Sequence, residues 1–148
     1  MEKETSIPTI VLSGAFDPPS VGQVAMIKDA SKAGKVVILL NSDTWCSEYK
    51  SRGVPFLEFK KRKSILEKLP FVESVIPAND TDGTVCKDLY DLKPDFFGNG
   101  GERVPSNTPE VAVCKELGIG MLWFLGDEID ATCDEHLRYA IRMTYDNC

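Results

Sequence analysis

One feature constrains this chain more than any other: short apolar runs rich in β-branched residues, IPTIVLS, KVVILLN, VESVIPA, DFFGN and GMLWFLG, alternate with longer segments of helical period. The intervening segments are 22–33, 55–69, 83–92 and 108–117. Each is long enough to carry the chain back over a sheet, which is what successive parallel strands require. The pattern predicts a Rossmann-like, doubly wound α/β fold of about five mostly parallel strands, with helices on both faces. A closing helix is expected over 132–145, because Thr132 and Glu135 have the T-x-x-E spacing of a capping box. Right-handed crossovers leave few topologies, and in all of them a ligand binds at the carboxyl ends of the strands, where strand order reverses.

Composition narrows the partners. At 148 residues and 43% hydrophobic content, the chain fits a single domain, 1–148, with one core. Its net charge of -6 argues against nucleic acid and against an anionic membrane surface. The five cysteines, Cys46, Cys86, Cys114, Cys133 and Cys148, are scattered without a C-x-x-C pair, so no protein-held metal is expected, and a reduced, cytoplasmic chain is. The opening MEKETS is charged and no apolar run nears the roughly 18 residues of a membrane span, so neither signal peptide nor anchor is expected.

The stretch with most chemical content is SGAFDPPSVGQ, 13–23, the first strand-to-helix turn. Backbone N–H groups at a helix start favour an anion. Gly14 is read as a residue free to take unusual backbone angles, and Gly22 as one that permits close approach at the helix start. Glycines and prolines also mark such turns in sheets that bind nothing, and from the local pattern the two readings stand about even.

The turn resembles G-x-F-D-x-x-H-x-G-H, the signature of the cytidylyltransferase-like nucleotidyltransferases, nearest the heptose-phosphate adenylyltransferase and glycerol-3-phosphate cytidylyltransferase type. Gly14, Phe16, Asp17 and Gly22 match, with Ala15 between them, while Ser20 and Gln23 stand at the two histidine positions. Asn41 and Asp43, in NSD, look like the V-N-S-D that follows the second strand of those proteins. The segment RGVPFLEFKKRKSILEKLPFVESVIP places Arg62 at their arginine position. LKPDFFGNGGERVPSNTPE resembles L-K-P-D-x-x-x-K-G-G-D-Y, with Asn99 for the lysine, then Gly100 and Gly101. The likeness runs in order over roughly residues 8 to 126.

The resemblance implies nucleotidyl transfer from ATP or CTP to a small phosphorylated sugar or alcohol, with release of pyrophosphate and usually with Mg²⁺ as companion. It implies a homodimer as well. Catalytic positions would be Ser20, Gln23 and Lys50. Nucleotide or substrate positions would be Gly14, Ala15, Phe16, Asp17, Gly22, Asn41, Asp43, Arg62, Asn99, Gly100, Gly101 and Thr132. Such chemistry rests on positioning and on donors fixed where charge develops. Ser20 and Gln23 donate hydrogen bonds but carry no charge, and by analogy with a lost oxyanion donor each change costs about 100-fold or more in rate. A non-catalytic descendant that keeps the fold to bind a nucleotide or a partner is the alternative.

Other residues carry two readings each. Cys133, Asp134 and Glu135 fall where relatives place phosphate-binding hydroxyls, so the acids either repel a triphosphate or simply favour a helix start. His136, the only histidine, is a replacement donor or a half-exposed helix residue. Lys50 and Arg52 are phosphate ligands or solvated loop charges, and Asp17 either bonds backbone amides to orient the turn or assists substrate or metal. Trp45 is a candidate for stacking on a base, whereas Trp123 reads as core.

Overall fold

The computed structural model describes residues 7–49, 54–101 and 103–126. Five strands, β1 (Thr9–Gly14), β2 (Lys35–Leu40), β3 (Val72–Pro77), β4 (Phe96–Gly100) and β5 (Gly120–Leu125), form one sheet in the order β3-β2-β1-β4-β5. Every pairing is parallel. All five strands therefore stand where the apolar runs put them, in an all-parallel rather than mostly parallel sheet.

Side-chain alternation builds two cores. Ile10 and Leu12 of β1 and Ile38 and Leu40 of β2 face α1 (Val21–Ser31) and α3 (Phe59–Glu67), where Met26, Ile27, Ala30 and Leu66 pack on them. Val11, Leu39, Phe97, Met121 and Trp123 point the other way, onto α4 (Cys86–Leu92) and α5 (Val111–Leu117) through Leu89, Val113 and Cys114. A strand buried on both faces reads as a continuous apolar run, which is why these strands were visible in the sequence. Trp123 is core, as its strand context implied.

One helix departs from expectation. The stretch after β2, read as a loop, begins with α2 (Asp43–Tyr49). Ser42 initiates it, its Oγ accepting from Trp45 N at 3.0 Å, and Asp43 supplies the favourable acid of the first turn. Seven residues with a single buried side chain, Cys46, give too little apolar period to stand out. The expected helix over 132–145 lies outside the described residues.

Strand pairing shows where the sheet divides. β1 pairs with β2 along its full length, from Thr9↔Lys35 to Gly14↔Leu40, but with β4 only at Ile10↔Phe96 and Val11↔Phe97. Beyond Val11 the two central strands share no ladder. Strand order also reverses there, since β2 and β3 lie to one side and β4 and β5 to the other. The carboxyl ends of β1 and β4 are thus the two lips of the switch point, the position at which such sheets take ligands.

Candidate functional site

The first lip is built around Arg62. It sits in α3 on the same helical stripe as Leu66 and is fully buried, at 0% exposure. Its Nε donates to Leu57 O at 2.9 Å, its Nη1 to Ala15 O at 2.8 Å and Asn41 O at 3.0 Å, and its Nη2 to Asp43 Oδ1 at 2.6 Å. One guanidinium thus joins the turn after β1, the turn after β2 and the approach to α3. The resemblance implied a substrate-binding arginine. In this structure its buried fork is engaged by three carbonyls and a carboxylate of the chain itself, which is what positions these turns.

Acidic residues complete this frame. Asp17 accepts from Phe56 N at 2.7 Å and Leu57 N at 2.6 Å, which favours the backbone-orienting alternative for it. Asp43 Oδ2 accepts from Phe59 N at 3.3 Å, at the start of α3. Buried Asp80, after β3, accepts from Asn41 Nδ2 at 3.0 Å, Ser42 N at 2.8 Å and Ser42 Oγ at 2.9 Å. Hydrogen bonds to a charged acceptor are the stronger kind, so Asp80 fixes the NSD turn. Trp45 is half-buried, donates from Nε1 to Gly83 O at 3.2 Å, and stacks on Tyr49 with ring centroids 5.3 Å apart.

Ser20 and Gln23 bond each other. Ser20 caps α1: its Oγ accepts from Gln23 N at 3.1 Å, while Ser20 N donates to Gln23 Oε1 at 3.0 Å. This reciprocal capping box satisfies two of the donors a helix start leaves open. The Ser20 hydroxyl proton and the Gln23 amide N–H₂ remain as donors of the pair.

The glycines divide by cause. Gly14 does not adopt a left-handed backbone angle; a Cβ there would lie 3.0 Å from the ring of buried Phe16, which folds back over it. The unusual angle belongs to Phe16 itself, at φ 45, a conformation costly for a bulky residue and found where surroundings over-determine it. Gly22 is exposed, and among the described residues a Cβ there would meet only Ser20 Oγ, at 3.9 Å, so they leave that face of the helix start open.

The second lip is the end of β4. Asn99 is buried and donates from Nδ2 to Leu122 O at 3.2 Å, next to the irregularity in which Gly98↔Leu122 gives way to Gly100↔Leu125. It stitches two strands at a bulge, where relatives place a lysine. Gly100 packs against Met26 Sδ, and Gly101 begins the turn that follows. Arg103 N donates to Gly100 O at 3.2 Å, and Arg103 Nη1 faces Glu110 Oε1 at 3.7 Å. Glu110 is 3% exposed, precedes the first residue of α5 without a side-chain capping bond, and accepts from Val85 N at 3.1 Å through Oε2. Burial, and after it the Glu110 charge, push the Cys114 thiol up to about 12, so it stays protonated.

Gly14, Asn41 and Gly100 therefore share the carboxyl edge of the sheet, while Lys50, Thr132, Arg52, Asp134, Glu135 and His136 lie outside the described residues. Sequence reasoning missed Ser42, Asp80, Arg103 and Glu110. Among the described residues no three His, Cys, Asp or Glu gather to hold a metal, and Asp17, Asp43 and Asp80 are each engaged with donors of the chain. A protein-built Mg²⁺ cage does not fit these carboxylates.

Comparison with known proteins decides the family. The chain is 32% identical over 101 residues to the bifunctional protein HldE of Sulfurimonas denitrificans, a match over 68% of this chain and 21% of that protein. It is 29% identical over 110 residues to HldE of Streptomyces coelicolor, over 74% of this chain and 23% of the relative. The chain belongs to the cytidylyltransferase-like nucleotidyltransferase family. It spans only about a fifth of the length of these curated relatives, with shares of 23%, 20% and 21%. A lipopolysaccharide core biosynthesis protein from Thermoplasma volcanium shares the fold, with a TM-score of 0.67 and 17% identity over 80% of this chain and 97% of that one. No protein-family model matches the chain. Among the described residues no helix is long and apolar enough to cross a membrane.

Proposed function

We propose that this nucleotidyltransferase-family chain binds a nucleotide at the carboxyl edge of its sheet and runs nucleotidyl transfer slowly. The reaction is attack by a phosphate oxygen of a small phosphorylated sugar or alcohol on the α-phosphate of ATP or CTP. The bond to the β-phosphate breaks, and pyrophosphate leaves with its electron pair. Family membership and the open helix start at Gly22 support the binding half. The capping box carries the other half: Ser20 and Gln23 keep neutral donors to offer a phosphate, but their acceptor atoms are engaged with each other's backbone. Neutral donors orient an anion without the charge that stabilises a transferring phosphoryl group. Mg²⁺ would arrive with the nucleotide's phosphates, since the described carboxylates do not form a cage for it.

A second reading is a non-catalytic descendant that binds a nucleotide or a protein partner, itself included, as a homodimer. The observation favouring it is that the capping box explains both Ser20 and Gln23 with no ligand at all. The test is a thermal-shift and pyrophosphate-release panel with ATP, CTP, GTP and UTP, with and without Mg²⁺, against phosphorylated acceptors. A ligand at 100 times its Kd stabilises the native state by about 2.7 kcal/mol, so selective binding is visible in the melt. Selective stabilisation with slow release supports slow transfer. Stabilisation with no release under any pairing supports the second reading, and no shift with any nucleotide overturns the nucleotide site.

A further inference from the structure

We infer that Arg103, braced by Glu110, is the anion-binding side chain of an acceptor subsite on the β4 lip, receiving the phosphate of a small phosphomonoester. The inference rests on the transfer reading above. The described residues hold two arginines, and they are opposites. Arg62 is fully buried, with its nitrogens bonded to Leu57 O, Ala15 O, Asn41 O and Asp43. Arg103 has a side chain 43% exposed, and among the described residues its ion-pair partner is Glu110, 3.7 Å away.

That separation is too long for a hydrogen bond. Arg103 Nη1 and Glu110 Oε1 are both buried without a hydrogen-bond partner among the described residues. Buried polar atoms in native structures are seldom left so, and an exception calls for a reason. Charged N–H···O bonds are typically about 2.7–2.9 Å long, and the other arginine's contact to Asp43 is closed, at 2.6 Å. Here the carboxylate is held elsewhere: Oε2 accepts from Val85 N, and Glu110 itself starts α5. It sets the direction of the guanidinium without occupying its fork. The planar fork matches two phosphate oxygens, which is the reason for assigning a phosphate rather than a neutral ligand.

Placement separates this subsite from the nucleotide's. The capped start of α1 belongs to the face on which Met26 and Ile27 pack. Glu110 meets Val85 and α5 on the opposite face, the one holding Leu89 and Val113. Arg103 is tied to the end of β4 by its own backbone, through Gly100 O. The two anion-receiving groups thus belong to elements packed on opposite faces of the sheet, both at its carboxyl edge.

The test is calorimetric titration of the full chain and its Arg103→Gln and Arg103→Lys variants with ATP, glycerol 3-phosphate, glucose 1-phosphate and inorganic phosphate, after melting curves show that each variant folds. Arg103→Gln should weaken the best-bound phosphomonoester about 10-fold or more and leave ATP within about 2-fold, with Arg103→Lys recovering part of the loss. Unchanged phosphomonoester affinity in Arg103→Gln, or an equal loss for ATP, overturns the inference. ATP binding to the unaltered chain without binding of any phosphomonoester overturns it while sparing the nucleotide site. Failure of every probe on the unaltered chain overturns both.

Discussion

The two lips of the switch point are built on opposite principles. On the β1 and β2 side, among the described residues, three charged groups at the turns are closed onto the chain: Arg62 on Ala15, Asn41, Leu57 and Asp43, Asp17 on Phe56 and Leu57, Asp80 on Asn41 and Ser42. On the β4 side an arginine and a buried glutamate face each other at 3.7 Å, unbonded. The first is a frame and the second has donors to offer. Residue type alone does not make a ligand group; what matters is whether its donors are already taken.

Substitutions test that contrast. The largest effect is expected from Arg62→Ala, which removes the partner of three backbone carbonyls and Asp43 and should cost about 3–5 kcal/mol in urea unfolding. A loss near zero would mean that the frame is not held by this side chain. Asp80→Ala leaves the buried Asn41 amide and the Ser42 N–H without their acceptor, and should cost about 2–3 kcal/mol by the same measurement. Ser20→Ala breaks one arm of the capping box and should cost about 1 kcal/mol. Arg103→Gln should change stability least, by about 1 kcal/mol or less, because the glutamine keeps an amide donor toward the buried Glu110 carboxylate and the charge lost was 3.7 Å away, out of bonding contact. If Arg103→Gln destabilised as much as Arg62→Ala, the two lips would be alike.

Much of the fold was legible because the physics that builds it is periodic. Ile10 and Leu12 against Val11, and Ile38 and Leu40 against Leu39, fill opposite cores, so each strand reads as one apolar run. The site was less legible. Arg62 sits in KKRK, where four basic residues look alike, yet Phe59, Arg62 and Leu66 share one face of α3 at helical spacing. That phase marked Arg62 as the inward one. S-x-x-Q at Ser20 and Gln23 is itself a capping-box pattern, the same logic that was applied to Thr132 and Glu135. Reading those positions only as missing histidines hid it. Asp80 and Glu110 gave no local signal, because their partners, Ser42 and Val85, are 38 and 25 residues away in the chain. Gly14 was legible as required but for the wrong reason: the Phe16 ring, not backbone angle, excludes a side chain.

Pyrophosphate release is the most direct measure of what Ser20 and Gln23 do. It should be followed with Mg²⁺, all four triphosphates and a panel of acceptor phosphates, comparing the unaltered chain with Ser20→His/Gln23→His. A further variant adds Asp134→Ser and Glu135→Thr. The unaltered chain should turn over well below about 1 per second, the low end of the ordinary enzyme range. Restoring the histidines should raise release about 100-fold or more, in the double or the fourfold variant. Release at about 1 per second or faster from the unaltered chain would contradict slow transfer, and would show that a serine and a glutamine locked in a helix cap support the reaction by another route.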